Sequence, residues 1–333
     1  MMRAILIFLA VAVLAAIGWV AGWNYLARQI DDTLSAQIAG LNDRGLEVAC
    51  AERALSGFPF RLSLGCKSTG LFLVRDGVDM QAGAFRSAAQ FYNPGHAVFE
   101  LDGPADIRQI GGDQVQANWT NFRGSIRAGL NGLARLSVQS RSLSLGYSGQ
   151  GTNAPPLLAD LLEFHVMPVS QDGKEGDLAV AVTATGLKIE ISTLPQIPLL
   201  DGAGDVALDG GERLLAAGPA LMREIRARGV SGNIRNLRLS AETGANLTAS
   251  GPFSVGTDGK LSAELQLEAG KLGLLAQVVR QSSLDTGLSE TLASALELLF
   301  PDSAPDNKKI VINIDKGMIR AGFIPLGELA PLF

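Results

Sequence analysis

Histidine and cysteine are the scarcest reactive residues in this chain, two of each among 333. Neither His96 nor His165 has metal-ligand spacing to another His, Cys, Asp or Glu. Two cysteines separated by a wide spacer match neither a zinc site nor a redox CxxC. A G-x-S-x-G elbow, a P-loop and a G-x-G-x-x-G turn are all missing. "GQGTNA" fails the last of these and does not open a helix. The carboxylates are scattered and define no acid–base pair. Each histidine therefore reads as structural or merely exposed. The expectation is a protein that is not an enzyme, with no catalytic residue, no cofactor and no metal.

Charge of one sign is also lacking. The 28 basic and 33 acidic residues are mixed along the chain for a net charge of −5. Without a basic stripe to neutralise phosphates, nucleic acid is not an expected partner. Aromatics are few, at 6 %, yet hydrophobic residues reach 47 % and mean hydropathy is +0.22. Disorder needs low hydrophobicity and high net charge, so it is excluded. The 39 glycines, set among short apolar runs, point to a turn-rich β protein.

What is present begins at the N-terminus. Residues 4–22 read "AILIFLAVAVLAAIGWVAG", long enough to cross a hydrocarbon core of roughly 30 Å. Arg3 precedes the run and would stay cytoplasmic, while Trp19, Trp23 and Tyr25 mark its far end as an interfacial belt would. Leu26, Ile30, Leu34, Ile38 and Leu41 then recur at helical spacing until Gly45 offers a stop. This predicts an anchor over 1–22 and a membrane-proximal helix over 23–45. The alternative is a signal peptide cleaved after Gly22. Either reading puts the rest outside the cytoplasm, in the periplasm. The first makes the protein a single-pass inner-membrane protein; the second makes it a secreted one.

Cys50 and Cys66 are centred on Phe58, in "SGFPFRLSLGC". If 47–55 and 61–67 form an antiparallel hairpin around that residue, the two cysteines face one another at disulfide range. An exported domain would meet an oxidising compartment, so a bond is expected. Phe60, Leu62, Leu64 and Cys66 alternate onto one face. Phe58 and Phe60 are accordingly expected to point into the core, with Pro59 fixing the bend after Gly57. This structural corner is a candidate surface for the apolar stripe of the membrane-proximal helix.

Alternation continues through the chain. Leu178, Val180, Val182 and Ala184 share a parity that Leu187, Ile189 and Ile191 reverse, so Gly186 is expected to sit at a β-bulge. A three-strand meander is expected over roughly 233–269, with Leu261, Ala263, Leu265 and Leu267 on one face. A last hairpin turns at Asp315-Lys316-Gly317. Helices are expected over 212–228, interrupted by Gly218-Pro219, and over 271–281 and 288–299. Only 148–156 and 170–177 resemble linkers. The β-rich region from 46 to 333 is thus either one body or two lobes divided near 148–177. The fold class is mainly β with peripheral helices (α+β), built on a large, curved antiparallel sheet.

The anchor, the "AGW" after it, "SGFPFRLSLGC", "FYNPGHAVFELDGP" and the closing "GFIPLGELAPL" resemble an uncharacterised alphaproteobacterial membrane-anchored envelope family. That family is domain of unknown function number twenty-one twenty-five. The resemblance runs over nearly the whole chain and implies an exported, membrane-anchored protein with no established catalytic residues. More distantly, the hairpin-rich pattern beside an anchor is similar to AsmA-like and other bridge-like lipid-transfer proteins. The expected function is therefore non-enzymatic: a sheet that binds or conducts lipid or another apolar molecule, with Leu261, Leu265 and Leu267 on the ligand face. The alternative is a scaffold for a protein partner in the cell envelope.

Overall fold

The computed structural model describes residues 2–333 except 44, 76, 130–131, 150–151, 172–173, 190–198, 243, 271–293 and 295–307. The helix expected over 271–281 lies outside the described residues, and so does that over 288–299 apart from Ser294. The chain opens with one long helix, α1 (Met2–Asn42). Its apolar half is exposed on all sides, and the span from Ile5 is long and apolar enough to cross a membrane. Beyond Gly22 the exposure becomes one-sided: Ala27 is buried, and Leu26, Ile30, Leu34, Ile38 and Leu41 are half-buried along one stripe. Gly45, at φ 80°, ends the helix with its N–H on the Asn42 carbonyl.

The remainder is a 20-stranded antiparallel sheet that does not close. The first ten strands are short: β1 (Leu46–Cys50), β2 (Ala54–Ser56), β3 (Arg61–Cys66), β4 (Thr69–Leu73) and β5 (Val78–Ala82). They continue with β6 (Phe85–Gln90), β7 (Asn93–Leu101), β8 (Ala105–Gln109), β9 (Gln114–Asn118) and β10 (Asn121–Gly129). Three long strands follow, β11 (Gly132–Gly149), β12 (Thr152–Gln171) and β13 (Lys174–Ile189), then β14 (Leu200–Leu208). A broken helical segment, α2 (Glu212–Ala217) and α3 (Leu221–Arg228), is interrupted at Gly218-Pro219 as expected. The meander is β15 (Val230–Ala241), β16 (Asn246–Val255) and β17 (Leu261–Gly270). The end is β18 (Lys308–Asp315), β19 (Met318–Ala321) and β20 (Ile324–Glu328). The segments 148–156 and 170–177, which read as linkers, fall in and between the strands of the longest hairpins.

The short strands are halves of longer, bent ones. β11 carries β10 against its first half and β9 against its second. From there one arm runs β10–β7–β6–β3–β2 and the other β9–β8–β5–β4–β1. Backbone bonds continue the ladder between the arms: Ala51 N–H to Ser68 O (3.1 Å), Asp102 N–H to Ala84 O (2.8 Å) and Thr120 N–H to Arg141 O (3.0 Å). Each long strand therefore crosses a crease. Glu52 and Ser142, with φ of 49° and 50°, sit on it.

The hairpin holding the cysteines differs in register from the expectation. Ala54 pairs with Gly65 and Cys50 with Thr69, a shift of three residues, because the turn closes late through Arg61 N–H to Gly57 O at 2.9 Å. In a flat ladder that diagonal offset would hold Cys50 and Cys66 roughly 10 Å apart along the strand. The crease folds the strand there, so the two are joined in a disulfide with their Cα atoms 5.2 Å apart. Gly186, at φ 63°, sits at the register shift between Ala184 and Leu187, which is the expected bulge. Asp315, Lys316 and Gly317 turn the last hairpin.

Candidate functional site

Directly opposed residues in an antiparallel pair put their side chains on one face, so the registers trace rows across the sheet. One row runs Leu64, Ser87, Phe99, Gly124, Val138 and Phe164 from β3 to β12. It continues as Val182, Gly204, Leu237, Ala249, Leu267 and Ile310 to β18. Two residues along, a parallel row reads Cys66, Phe85, Leu101, Phe122, Ser140, Leu162, Ala184, Gly202, Leu239, Leu247 and Ala269. Serine is the only polar residue in either row. At about 4.8 Å per strand, this apolar face is on the order of 50 Å long.

The opposite face begins one residue away and is polar. Its row is Arg86, Glu100, Arg123, Gln139, Glu163 and Thr183, ending through Arg238, Thr248 and Glu268 at Lys309. These groups satisfy each other sideways. Arg86 grips Asp102 through two bonds of 2.8 and 2.6 Å. Arg123 donates to Gln139, which donates to Glu163, both at 2.9 Å. Hydrogen bonding and charge attraction between Arg86 and Asp102 hold the Asp102 carboxyl below the usual carboxylate range and raise the guanidinium further.

His165 lies on this face too, 2.9 Å from the Ser137 hydroxyl, at a depression of about 730 Å³ bordered by Arg61, Arg86 and Arg123 and also by Val98 and Phe99. His96 is paired across from Arg127 on β10. Among the described residues no group of three His, Cys, Asp or Glu could hold a metal ion.

Two cavities open on the apolar face. The first, about 400 Å³, lies where the two arms meet under α1. Leu34, Ile38 and Leu41 of the helix stripe face Leu64, Cys66, Phe85 and Leu101 from one arm and Leu71 and Met80 from the other. The second, about 490 Å³, lies over β13–β16 and is lined by Val180, Val182, Ala184, Val206, Leu237, Leu239 and Leu247 with Gly202 and Gly204. The two glycines make room there that a larger residue would fill. Val182 and Leu237 keep 36 % and 47 % of their surface exposed. The buried apolar set is short and rich in alanine, including Ala105 and Ala117 beside the crease. This sheet has little sealed core and much half-covered apolar surface.

The sequence-predicted site residues are distributed unevenly. Leu267 lies in the apolar row and packs with Leu200, Leu239, Leu247 and Ile310 around buried Ala245 and Ala269. Leu261 and Leu265 share its strand parity and are half-buried, but neither lines either of these two cavities. The residues that do line one, Val182 and Leu237, sit on strands whose alternation was visible but whose partners were not.

The corner is a correction. Phe58 and Phe60 are 51 % and 61 % exposed and do not enter the sheet's core. They pack on α1 instead: Phe58 meets Trp23 edge-on with centroids 5.6 Å apart, and Phe60 lies 6.0 Å from Trp19. The physical reason is that the indole N–H groups of Trp19 and Trp23 donate to the Pro59 and Arg61 carbonyls at 2.9 and 2.8 Å. The turn is thereby held against the helix, away from the sheet face. The helix stripe does use this region, but through its tryptophans.

No curated protein and no solved structure gives a significant match to the chain. One family model does, over residues 23–330, which covers the second half of α1 and nearly the whole sheet. The chain therefore belongs to DUF2125, a family of uncharacterised proteins conserved in bacteria.

Proposed function

We propose that this is a non-enzymatic envelope protein, held in the inner membrane by α1, whose apolar sheet face binds or conducts a lipid or another apolar molecule in the periplasm. The observation that carries the reading is the pair of rows, apolar but for one serine each, that run from β3 to β18 and from β3 to β17, with Val182 and Leu237 half-exposed in a cavity of about 490 Å³. A face of this length would ordinarily be sealed by a second layer. One that stays partly open over a near-wholly apolar cavity suits an acyl chain, which needs apolar walls and few directed bonds. The disulfide fits an oxidising compartment, and the long apolar half of α1 fits an anchor.

The test is native mass spectrometry of the full-length chain extracted in mild detergent. A photocrosslinking fatty acid is added to protein carrying Leu237→Asp or Val182→Asp. Co-purifying lipid and crosslinks that fall about tenfold in both variants are expected. Absence of bound lipid, with labelling no greater than at a polar-face position such as Thr183, would favour a scaffold for an envelope protein instead.

A further inference from the structure

The turns between β2 and β3 and between β6 and β7 break the rule that turns are polar. Residues 57–60 read "GFPF" and 91–92 read "FY", and neither turn contains a charge. Tyr92 is 68 % exposed, as open as the phenylalanines of the neighbouring turn. Both turns are fastened to one point on α1. Trp19 has Phe60 and Phe91 around it, the latter with ring centroids 4.9 Å apart. Gly22 leaves the Phe91 ring close to the helix backbone, since a Cβ added there would be 3.7 Å from Cζ.

Trp19 belongs to the uncharged run that starts at Ala4, and the first charge beyond it is Arg28. At about 1.5 Å per residue, Trp19 lies roughly 22 Å along the helix from Ala4, short of the ~30 Å hydrocarbon thickness. A ring packed at a tilt against it shares its depth.

We infer that these two turns form a foot embedded in the membrane. Phe58, Phe60, Phe91 and Tyr92 sit in the headgroup–acyl boundary of the leaflet that α1 leaves, beside Trp19, Trp23 and Tyr25. Aromatic side chains favour that boundary. Arg61, next to the first turn, is placed to meet lipid phosphate as its neighbours enter the acyl region. The foot joins the arm β2–β3–β6–β7 to the bilayer surface, directly below the apolar pairs Leu62–Ala89 and Ala89–Ala97. This rests on the reading of α1 as a span and is independent of whether the sheet carries lipid.

The test places the photocrosslinker p-benzoylphenylalanine at Phe60 or Tyr92 of the full-length chain, reconstituted in phosphatidylethanolamine–phosphatidylglycerol vesicles. Leu14 is the positive control, and Ile110 and Phe323, 78 % and 103 % exposed on other turns, are negative controls. The Cys50–Cys66 bond, measured by non-reducing peptide mass on each sample, checks folding. Lipid adducts at Phe60 and Tyr92 about tenfold above Ile110 and Phe323 are expected. Adducts at Leu14 with none at Phe60 and Tyr92 would overturn the foot and leave the anchor standing. Loss at Leu14 as well would overturn both. Labelling at Leu237 in the same series reports on the lipid-carrying face alone.

Discussion

The two ends of the apolar face are made from the same alternating pattern and are finished differently. At the first end, two arms fold together across the crease, a disulfide ties them, and the stripe of α1 lies over the cavity between them. Over β13–β16 the lining is as apolar, but Val182 and Leu237 stay half in solvent. Alternation decides which side of a strand is apolar. Whether that side is sealed depends on a third element brought from elsewhere, and here α1 supplies it at one end. The first end is a structural joint covered by a helix, and over β13–β16 Val182 and Leu237 leave the face half in solvent.

The strongest way to break this contrast is to cut the joint. Cys50→Ser with Cys66→Ser should cost about 3 kcal/mol by the chain-entropy treatment of a loop this size. Urea unfolding of the full chain in detergent would measure it. Hydrogen exchange should show the added opening confined to β1–β6, with β13–β17 unchanged. Equal loosening at both ends would mean the sheet acts as one cooperative unit and the contrast is false.

Next in size is a charge placed in each cavity in turn. Ile38→Asp, under the helix, should cost about 2 kcal/mol because the carboxylate meets apolar walls on both sides. Leu237→Asp should cost less than about 1 kcal/mol, since its side chain already reaches solvent. The same unfolding series compares them. A larger loss at Leu237 would show that the second cavity is sealed after all.

Much of this architecture could be read from residue pattern, and the unread part has a definite physical cause. The helix to Gly45, the broken helix at Gly218-Pro219, the bulge at Gly186 and the last turn at Asp315-Lys316-Gly317 are local, and local chemistry marks them. The crease is not local. Nothing in "VACAER" announces that the strand bends at Glu52, because the crease is completed by bonds of Ala51 with Lys67 and Ser68 and of Ala84 with Asp102, which join the two arms. The hairpin register failed for the related reason that Arg61 closes on Gly57, so the turn centre moved past Phe58. Leu267 was identifiable as an inward residue, but Val182 and Leu237 become cavity neighbours only through pairings β13–β14 and β14–β15. The tryptophan-to-turn bonds were likewise hidden: each indole spans about forty residues of sequence to reach its carbonyl.

A smaller effect tests the bulge that lets β13 serve both cavity and crease. Gly186→Ala should cost about 1 kcal/mol, because alanine at φ 63° is strained and its Cβ would run into the Asp160 carboxylate. Thermal unfolding would register it. A neutral result would mean that β13 relaxes into a different register, which changed crosslinking at Val182 would reveal.

The smallest effect belongs to the polar face and sharpens the contrast from the other side. Arg86 and Asp102 form the best-defined ion pair there, with a forked geometry, but their side chains are 53 % and 48 % exposed. Solvent screening then limits the pair to about 0.5 kcal/mol. The sign with pH follows from the lowered Asp102 pKa, since the folded chain holds the carboxylate more firmly than the unfolded chain does. The contribution is complete above the unfolded value of about 3.9 and is lost as pH falls through the lower folded value. Arg86→Ala should therefore lower the unfolding midpoint slightly near neutrality and match the parent protein once Asp102 is protonated in both states. Arg86→Lys keeps the charge but loses the fork, and should recover only part of the difference. A penalty that persists in acid would assign the loss to packing of the arginine stem along the sheet. The polar face would then stabilise this end of the sheet by contact, as the apolar face does.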